Sequence, residues 1–317
     1  MCGLTGWILP LGSKWRPTKD LIKYWVKGVE SRGKDATGYW TYVDGETLPR
    51  FWMKGPKTAT AFCVDIDAED VPVGRIGLMH TRSWTVGSPM LNENNHPLVV
   101  GNTVVTHNGG FSDHEAVYKK LGVTNPIAEV DSACVPHALD QLGVVAGLKL
   151  LEQETPGLAA IVAVMPNLDL VLAKDGRPLY MARLPEGGFM WSSEAEICFG
   201  MQEWGGQGRA FVASRFPALR FMVMDGNTLQ IKERGDFSLK VPPMRNAVHT
   251  SGMGFTTSRH VGQAHTRNGA PLCVWGRCMA TGTKTVQDTD GKQKMVCKPH
   301  KKEWRKGITI PNWQQDK

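Results

Sequence analysis

Residues 2–8, CGLTGWI, form a largely apolar run at the very start of the chain, of a length that predicts a strand. Thr18 then stands as a candidate N-cap ahead of Leu21, Ile22, Trp25, Val26 and Val29, whose spacing gathers one apolar stripe on a helix. That helix is expected to stop at SRGKDATG (31–38), a polar break containing two glycines. Strands are predicted at 38–43, 48–53, 75–82 and 103–107, and helices at 112–121 and 131–143. Further strands follow at 158–165, 168–173, 178–183, 188–192, 220–225 and 228–233. Many short strands with few helices to carry crossovers imply antiparallel sheets, and so an α+β class. From about 236 the periodicity fades. The segment 241–270, rich in Gly, Ser, Thr and Asn, reads as a linker, and no internal repeat is present.

At 317 residues the chain can bury a sizeable core, so one large domain with an appendage is expected. Apolar residues make up 41% and charged residues 21%, an ordinary globular balance. No run approaches the roughly 20 apolar residues of a bilayer span, and the start lacks a leader pattern, which predicts a cytoplasmic protein without a membrane partner. The seven cysteines, at 2, 63, 134, 198, 273, 278 and 297, are odd in number and scattered. They read as reduced thiols with individual roles or none. Charge is segregated: residues 240–317 hold 14 Lys/Arg against 4 Asp/Glu, whereas the rest of the chain is slightly acidic. A basic tail of this kind suits nucleic acid or an acidic protein surface, and a merely solubilising segment fits equally well.

Cys2 stands directly after the initiator methionine. Removal of Met1 would leave a thiol and a free α-amine on one residue, a nucleophile with its own base. Behind it come RGKDATG (32–38), HTRSWT (80–85), NHP (95–97), THNGG (106–110) and VDS (130–132), in that order. Together with FMWSSEAEICFG (189–200), this series resembles the class II glutamine amidotransferase domain, a member of the N-terminal nucleophile hydrolases. The resemblance covers about 2–235 and implies a four-layer αββα sandwich of two antiparallel sheets, followed by a linker (236–270) and a basic tail (271–317).

What the resemblance implies residue by residue is as follows. Cys2 is the nucleophile, and no cofactor is needed to hydrolyse glutamine. Asn108 and Gly109 form the oxyanion hole through the side-chain amide and the backbone N–H; an Asn-Gly hairpin turn is the bland alternative. Arg82 is the candidate for the α-carboxylate of glutamine and Asp131 for its α-ammonium group. Arg32, with Gly33 and Asp35, supports the site or contacts substrate, and Trp84 contacts substrate from the loop that closes over it. The family usually has an aromatic residue directly after the arginine; here Ser83 intervenes before Trp84. His80, His96 and His107 are expected to be structural.

In the tail, Cys273, Cys278, Cys297 and His300 have the spacing C-x4-C-x18-C-x2-H about a short hairpin with its turn at DTDGK (288–292). Two ligand pairs on separate turns suit a structural zinc, and a loop-rich basic segment with few apolar residues would need such a staple; His265 could stand in for His300, and incidental cysteines are the alternative. The implied function is a glutaminase delivering ammonia to an acceptor enzyme on a separate chain. A stand-alone γ-glutamyl amidase and a non-catalytic binding module working through the basic tail remain the alternatives.

Overall fold

The opening apolar run is strand β1 (Gly3–Ile8), buried at every position because it lies in the middle of a sheet covered on both faces. The computed structural model of the chain describes residues 1–45, 50–198 and 214–240, and the backbone of 284–287 and 293–296. Along the first half run α1 (Lys19–Gly28), β2 (Ala36–Tyr42), β3 (Arg50–Gly55), α2 (Ala59–Ala68), β4 (Ile76–Arg82), β5 (Leu98–Val100), β6 (Thr103–Phe111) and α3 (His114–Leu121). Then come α4 (Cys134–Leu142), α5 (Val144–Glu154), β7 (Gly157–Val164), β8 (Leu170–Asp175), β9 (Tyr180–Arg183) and β10 (Phe189–Ser192). The short β11 (Ser214–Arg215), β12 (Arg220–Met224) and β13 (Ile231–Asp236) complete the larger unit, Met1–Arg245.

Two antiparallel sheets result. One has the order β11-β9-β10-β1-β4-β2-β3 and the other β13-β12-β8-β7-β6-β5. Period-2 alternation along β1 sends Leu4 and Ile8 to one face and Trp7 to the other. Leu4, Ile8, Trp40, Leu78 and Trp191 meet Val162, Leu170 and Leu172 of the second sheet. On its outer face the first sheet packs Trp7, Tyr39 and Met79 against Leu21, Ile22 and Trp25 of α1 and Phe62 and Ile66 of α2. The second sheet covers Val105, Ile161 and Val171 with Val135, Leu139, Leu148 and Leu151 of α4 and α5. Helix, sheet, sheet and helix layers are thus joined by three apolar interfaces, in an α+β architecture.

Several elements depart from the sequence reading. Helix α2 was not expected, although Ala59, Phe62, Cys63 and Ile66 show helical spacing and the Thr58 hydroxyl caps it by accepting from the Ala61 N–H at 3.2 Å. The helix expected over 131–143 is a short 3-10 turn, Asp131–Ala133, leading into α4; Gly143, at φ 76°, ends α4, and the unanticipated α5 follows. The strand read at 228–233 forms at 231–236. Asn108 and Gly109 are not a turn: β6 runs straight through them, opposite Ala160 and Ala159 of β7. Phe237 and Leu239, beyond the boundary drawn at 235, lie in the core beside α5 and β8. They are anchored by the Leu239 N–H to the Asp175 carboxylate at 2.7 Å.

The second unit, Asn246–Lys317, contains the hairpin expected around DTDGK. Strands β14 (Lys284–Gln287) and β15 (Gln293–Val296) pair antiparallel with Lys284 opposite Val296. Among the described residues no helix is long and apolar enough to cross a membrane.

Candidate active site

The register of the first sheet brings the chain start to the end of β4: Gly3 lies opposite Thr81, so Cys2 adjoins Arg82 and Ser83. Strand β6 of the other sheet supplies Asn108, and the 3-10 turn before α4 supplies Asp131. Cys2, Arg82, Ser83 and Asp131 line a cavity of about 180 Å³ with Met1, Thr85, His96, His107, Gly109 and Arg177. That is room for a ligand of amino-acid size.

Asn108 is fully buried and faces two ways. Its Oδ1 accepts from the Cys2 N–H at 3.1 Å, which fixes the orientation of the amide. Its Nδ2 is then left buried with no hydrogen-bond partner among the described residues. An unpaired buried donor is costly and rare in a native fold, so one beside a thiol at a cavity points to an absent acceptor. Gly109 follows on the strand, and a Cβ there would lie 1.8 Å from the Leu158 carbonyl oxygen. Only glycine permits this approach of the two strands.

The Cys2 sulfur lies 3.9 Å from the Ser83 carbonyl oxygen. Burial pushes its thiol pKa up; the hydrogen bond to Ser83, the N-terminal charge and Arg82 act against the rise, and Asp131 adds to it. Arg32 supports the nucleophile from behind, its Nε donating to the Cys2 carbonyl at 3.2 Å and its Nη1 pairing with Glu194 at 3.0 Å. Gly33 is required for this turn, since a Cβ would come within 2.3 Å of the Arg82 carbonyl carbon.

Arg82 is 4% exposed and grips the loop that follows it. Nη1 donates to Asn95 Oδ1 at 2.8 Å, and Nη2 to the carbonyls of Val86 and Gly87 at 2.5 and 2.6 Å. The Trp84 side chain is 57% exposed, and its backbone N–H is held by the Asp35 carboxylate at 2.7 Å. Asp131 accepts from the Phe111 N–H at 2.7 Å. Burial raises its carboxyl pKa, while that hydrogen bond and His114 act in the opposite sense.

His96, in the cavity wall, stacks on His80 at 4.1 Å between ring centroids. His80 Nε2 donates to the His107 carbonyl at 3.0 Å, and His107 Nδ1 meets Ser132 Oγ at 2.8 Å. Burial drives His80 and His107 down to about 3 and His96 well below its usual value, so all three are neutral in the fold.

Three contributors were not singled out in the sequence. Lys54 donates to the carbonyls of Asn95 and Pro97 at 2.7 and 3.0 Å, which steadies the loop that Arg82 grips; burial lowers its ammonium to about 8. Asn95 stood in a quoted motif without a role. Arg177 lies on the turn between β8 and β9 in KDGRPLY, a stretch matching none of the motifs; its signal was a cation at a glycine turn. Cys273, Cys278, Cys297 and His300 lie outside the described residues. Among the described residues no cluster of His, Cys, Asp and Glu could hold a metal.

A double antiparallel sandwich thus carries a thiol at the second residue and an orphaned amide donor beside it. The described part of the chain shares its fold with solved glutamine amidotransferases, and its sequence is similar to the class II glutamine amidotransferase domain. In sequence it is similar to glutamine–fructose-6-phosphate aminotransferase (isomerizing) of Pseudomonas syringae pv. tomato, 29% identical over 191 residues, 56% of this chain and 30% of that one. The enzyme of the same name from Corynebacterium efficiens is 36% identical over 148 residues, 45% of this chain and 23% of that one. The chain therefore spans less than a third of the length of these relatives. In structure it is similar to glutamine phosphoribosylpyrophosphate amidotransferase from B. subtilis, with a TM-score of 0.56 and 16% identity over 76% of this chain and 50% of that one. No family model matches the chain.

Proposed function

We propose that the chain, once Met1 is removed, hydrolyses glutamine to glutamate and ammonia with Cys2 as nucleophile. The observation that carries this reading is Asn108, tied by one end to the Cys2 nitrogen and presenting from the other a buried, unpaired N–H donor. Loss of Met1 turns the Cys2 peptide nitrogen into an α-amine at the same place, with a pKa of about 7.7–8.0 in the free state. The amine takes the thiol proton and Sγ attacks the δ-carbon. The carbonyl electron pair moves onto oxygen, where Asn108 Nδ2 and the Gly109 N–H stabilise it. Collapse breaks the C–N bond, and the amine passes its proton to the departing nitrogen, which leaves as ammonia. Water, deprotonated by the same amine, then cleaves the thioester to glutamate and free Cys2.

Asp131 takes the substrate's α-ammonium group. Arg82, the candidate read from the sequence for the α-carboxylate, reaches it only through the N–H groups it does not give to its own loop. Trp84 closes over the occupied site, and Arg32 holds the Cys2 carbonyl. The ammonia serves an acceptor enzyme on a separate chain, which the basic tail helps to recruit. In that tail Cys273, Cys278, Cys297 and His300 bind a structural zinc.

The test is a glutamine analogue bearing an electrophile at the δ-carbon. It should label Cys2 and spare Cys63, Cys134 and Cys198, whose buried thiols are raised, to about 11 for Cys63 and about 12 for Cys198. Cys2→Ser should abolish both labelling and hydrolysis. Labelling elsewhere would overturn the assignment.

A further inference from the structure

A second cavity, of about 310 Å³, is lined by Glu93, His114, Glu115, Tyr118 and residues 126–129. It shares no lining residue with the cavity at Cys2. The segment 126–132 borders both: its first four residues line the second cavity, and Val130, Asp131 and Ser132 line the first.

Three glutamates stand in its wall, and their charges are unequally matched. Glu115 meets His114 Nε2 at 3.5 Å. Among the described residues neither Glu93 nor Glu129 has a cation within ion-pair distance. Lys54, whose charge Glu93 feels, gives its hydrogen bonds to the Asn95 and Pro97 carbonyls. Glu129 is fixed in place: its Oε2 accepts from Asn94 Nδ2 at 3.0 Å, and its N–H donates to Asn94 Oδ1 at 2.9 Å. Acidic side chains at a surface are ordinarily just solvated, but this group has Tyr118 beside it. Tyr118 is 3% exposed, and its hydroxyl is buried with no hydrogen-bond partner among the described residues. The ring stands edge-on to His114 and to His137, each at 5.8 Å between centroids, which fixes where the hydroxyl sits. His114 Nδ1 is likewise buried without a partner.

All of these open positions can accept a hydrogen bond. The carboxylates only accept, the phenol oxygen has lone pairs to offer, and Nδ1 is an acceptor once the Nε2 hydrogen faces Glu115. Buried polar atoms of this kind call for a partner, and the partner here must be a donor that carries positive charge. A bare metal ion does not suit the wall, since no group of three His, Cys, Asp or Glu among the described residues could hold one. An ammonium group on a short aliphatic chain does suit it. Its N–H groups face the acceptors while its methylenes lie against Pro126, Ile127 and Ala128. We propose that this cavity is a second ligand site, for a small aliphatic ammonium ion whose N–H groups are taken by Glu93, Glu129 and the Tyr118 hydroxyl.

The experiment titrates the full chain with n-butylammonium chloride by calorimetry at constant ionic strength. Tetramethylammonium chloride, a cation without an N–H, is the control. One n-butylammonium should bind per chain, more tightly than tetramethylammonium. The Glu93→Gln, Glu129→Gln double variant should weaken it about tenfold, the combined loss of two exposed ion pairs. Tyr118→Phe keeps the ring and removes one hydroxyl; it should weaken binding about tenfold, the loss of a hydrogen bond to a charged group, with thermal stability unchanged. Asp131→Asn, in the other cavity, should bind n-butylammonium as wild type does. Equal binding of the two cations, or no binding of n-butylammonium, overturns the proposal. So does binding lost in Asp131→Asn and kept in the glutamate variant, which would put the cation in the cavity at Cys2. A Tyr118→Phe chain that binds like wild type but melts several degrees lower would also overturn it, assigning the hydroxyl to a buried water. Binding is read directly, so none of these outcomes depends on whether the chain hydrolyses glutamine.

Discussion

Asn108→Ala separates catalysis from stability, because the two ends of the amide act in opposite directions. Truncation removes the Oδ1 bond to the Cys2 nitrogen, a loss of about 1 kcal/mol. It also leaves roughly 30 Å³ unfilled, about 0.7 kcal/mol at ~24 cal/mol per Å³. Against these, it removes a buried donor without a partner, whose desolvation costs about 1–3 kcal/mol in the folded state. The net change is within about 1 kcal/mol, a Tm shift of no more than about 4 °C for a unit of this size. Catalysis has no such compensation. One donor to the developing oxyanion is worth about 10²–10³ in kcat, or about 2.7–4 kcal/mol. Asn108→Asp keeps the shape and replaces the donor with an acceptor, so its rate should fall at least as far. Calorimetry on the mature variants, paired with ammonia release from saturating glutamine, measures both quantities. A kcat within threefold of wild type would remove Asn108 from the oxyanion hole. A Tm lowered by more than about 8 °C would show that its amide is a structural bond and that the unpaired Nδ2 has no bearing on function.

Other outcomes follow from the same structure. A variant whose second residue blocks methionine removal, with Cys2 moved to third place by an inserted bulky residue, should be folded and inactive; glutaminase activity with Met1 retained by intact mass would refute the α-amine as base. His80, His96 and His107 are neutral in the fold and protonated below about 6.5 when unfolded, so the unfolded chain binds more protons in acid. The stability they contribute is complete above about pH 6.5 and is lost as pH falls through their lowered folded values, at about 1.4 kcal/mol per pH unit for each histidine. Chemical denaturation at pH 7, 6 and 5 should show this slope, reduced by about one proton in His96→Phe; an unchanged slope would mean that this ring does not titrate on unfolding. Metal analysis of the full chain should find about one zinc, lost in the Cys273→Ser, Cys278→Ser double variant without loss of glutamine hydrolysis, and a metal-free wild type would refute the zinc.

Local pattern carried a large part of the fold. The apolar run at the start, the Thr18-capped stripe and the series of short strands are each stated within a few residues, because side-chain period and capping are local properties. The site motifs were legible for a similar reason: a thiol beside a prospective amine, or a glycine after an asparagine, is chemistry written in adjacent positions. Local pattern was weakest where contacts across the chain decide. Asn-Gly at 108–109 has the strongest short-range turn signal, yet pairing with Ala160 and Ala159 holds it as strand, because a buried ladder outweighs local turn preference. Phe237 and Leu239 look like the start of a linker until α5 and β8 close over them. Arg82 reads as a free guanidinium until the loop folds back to occupy it. Arg177, 175 residues after Cys2, lines the same cavity only because β8 lies beside β7 and β7 beside β6. Which donor is left unpaired is a property of the whole packed interior, since a hydrogen-bond partner can come from any point on the chain.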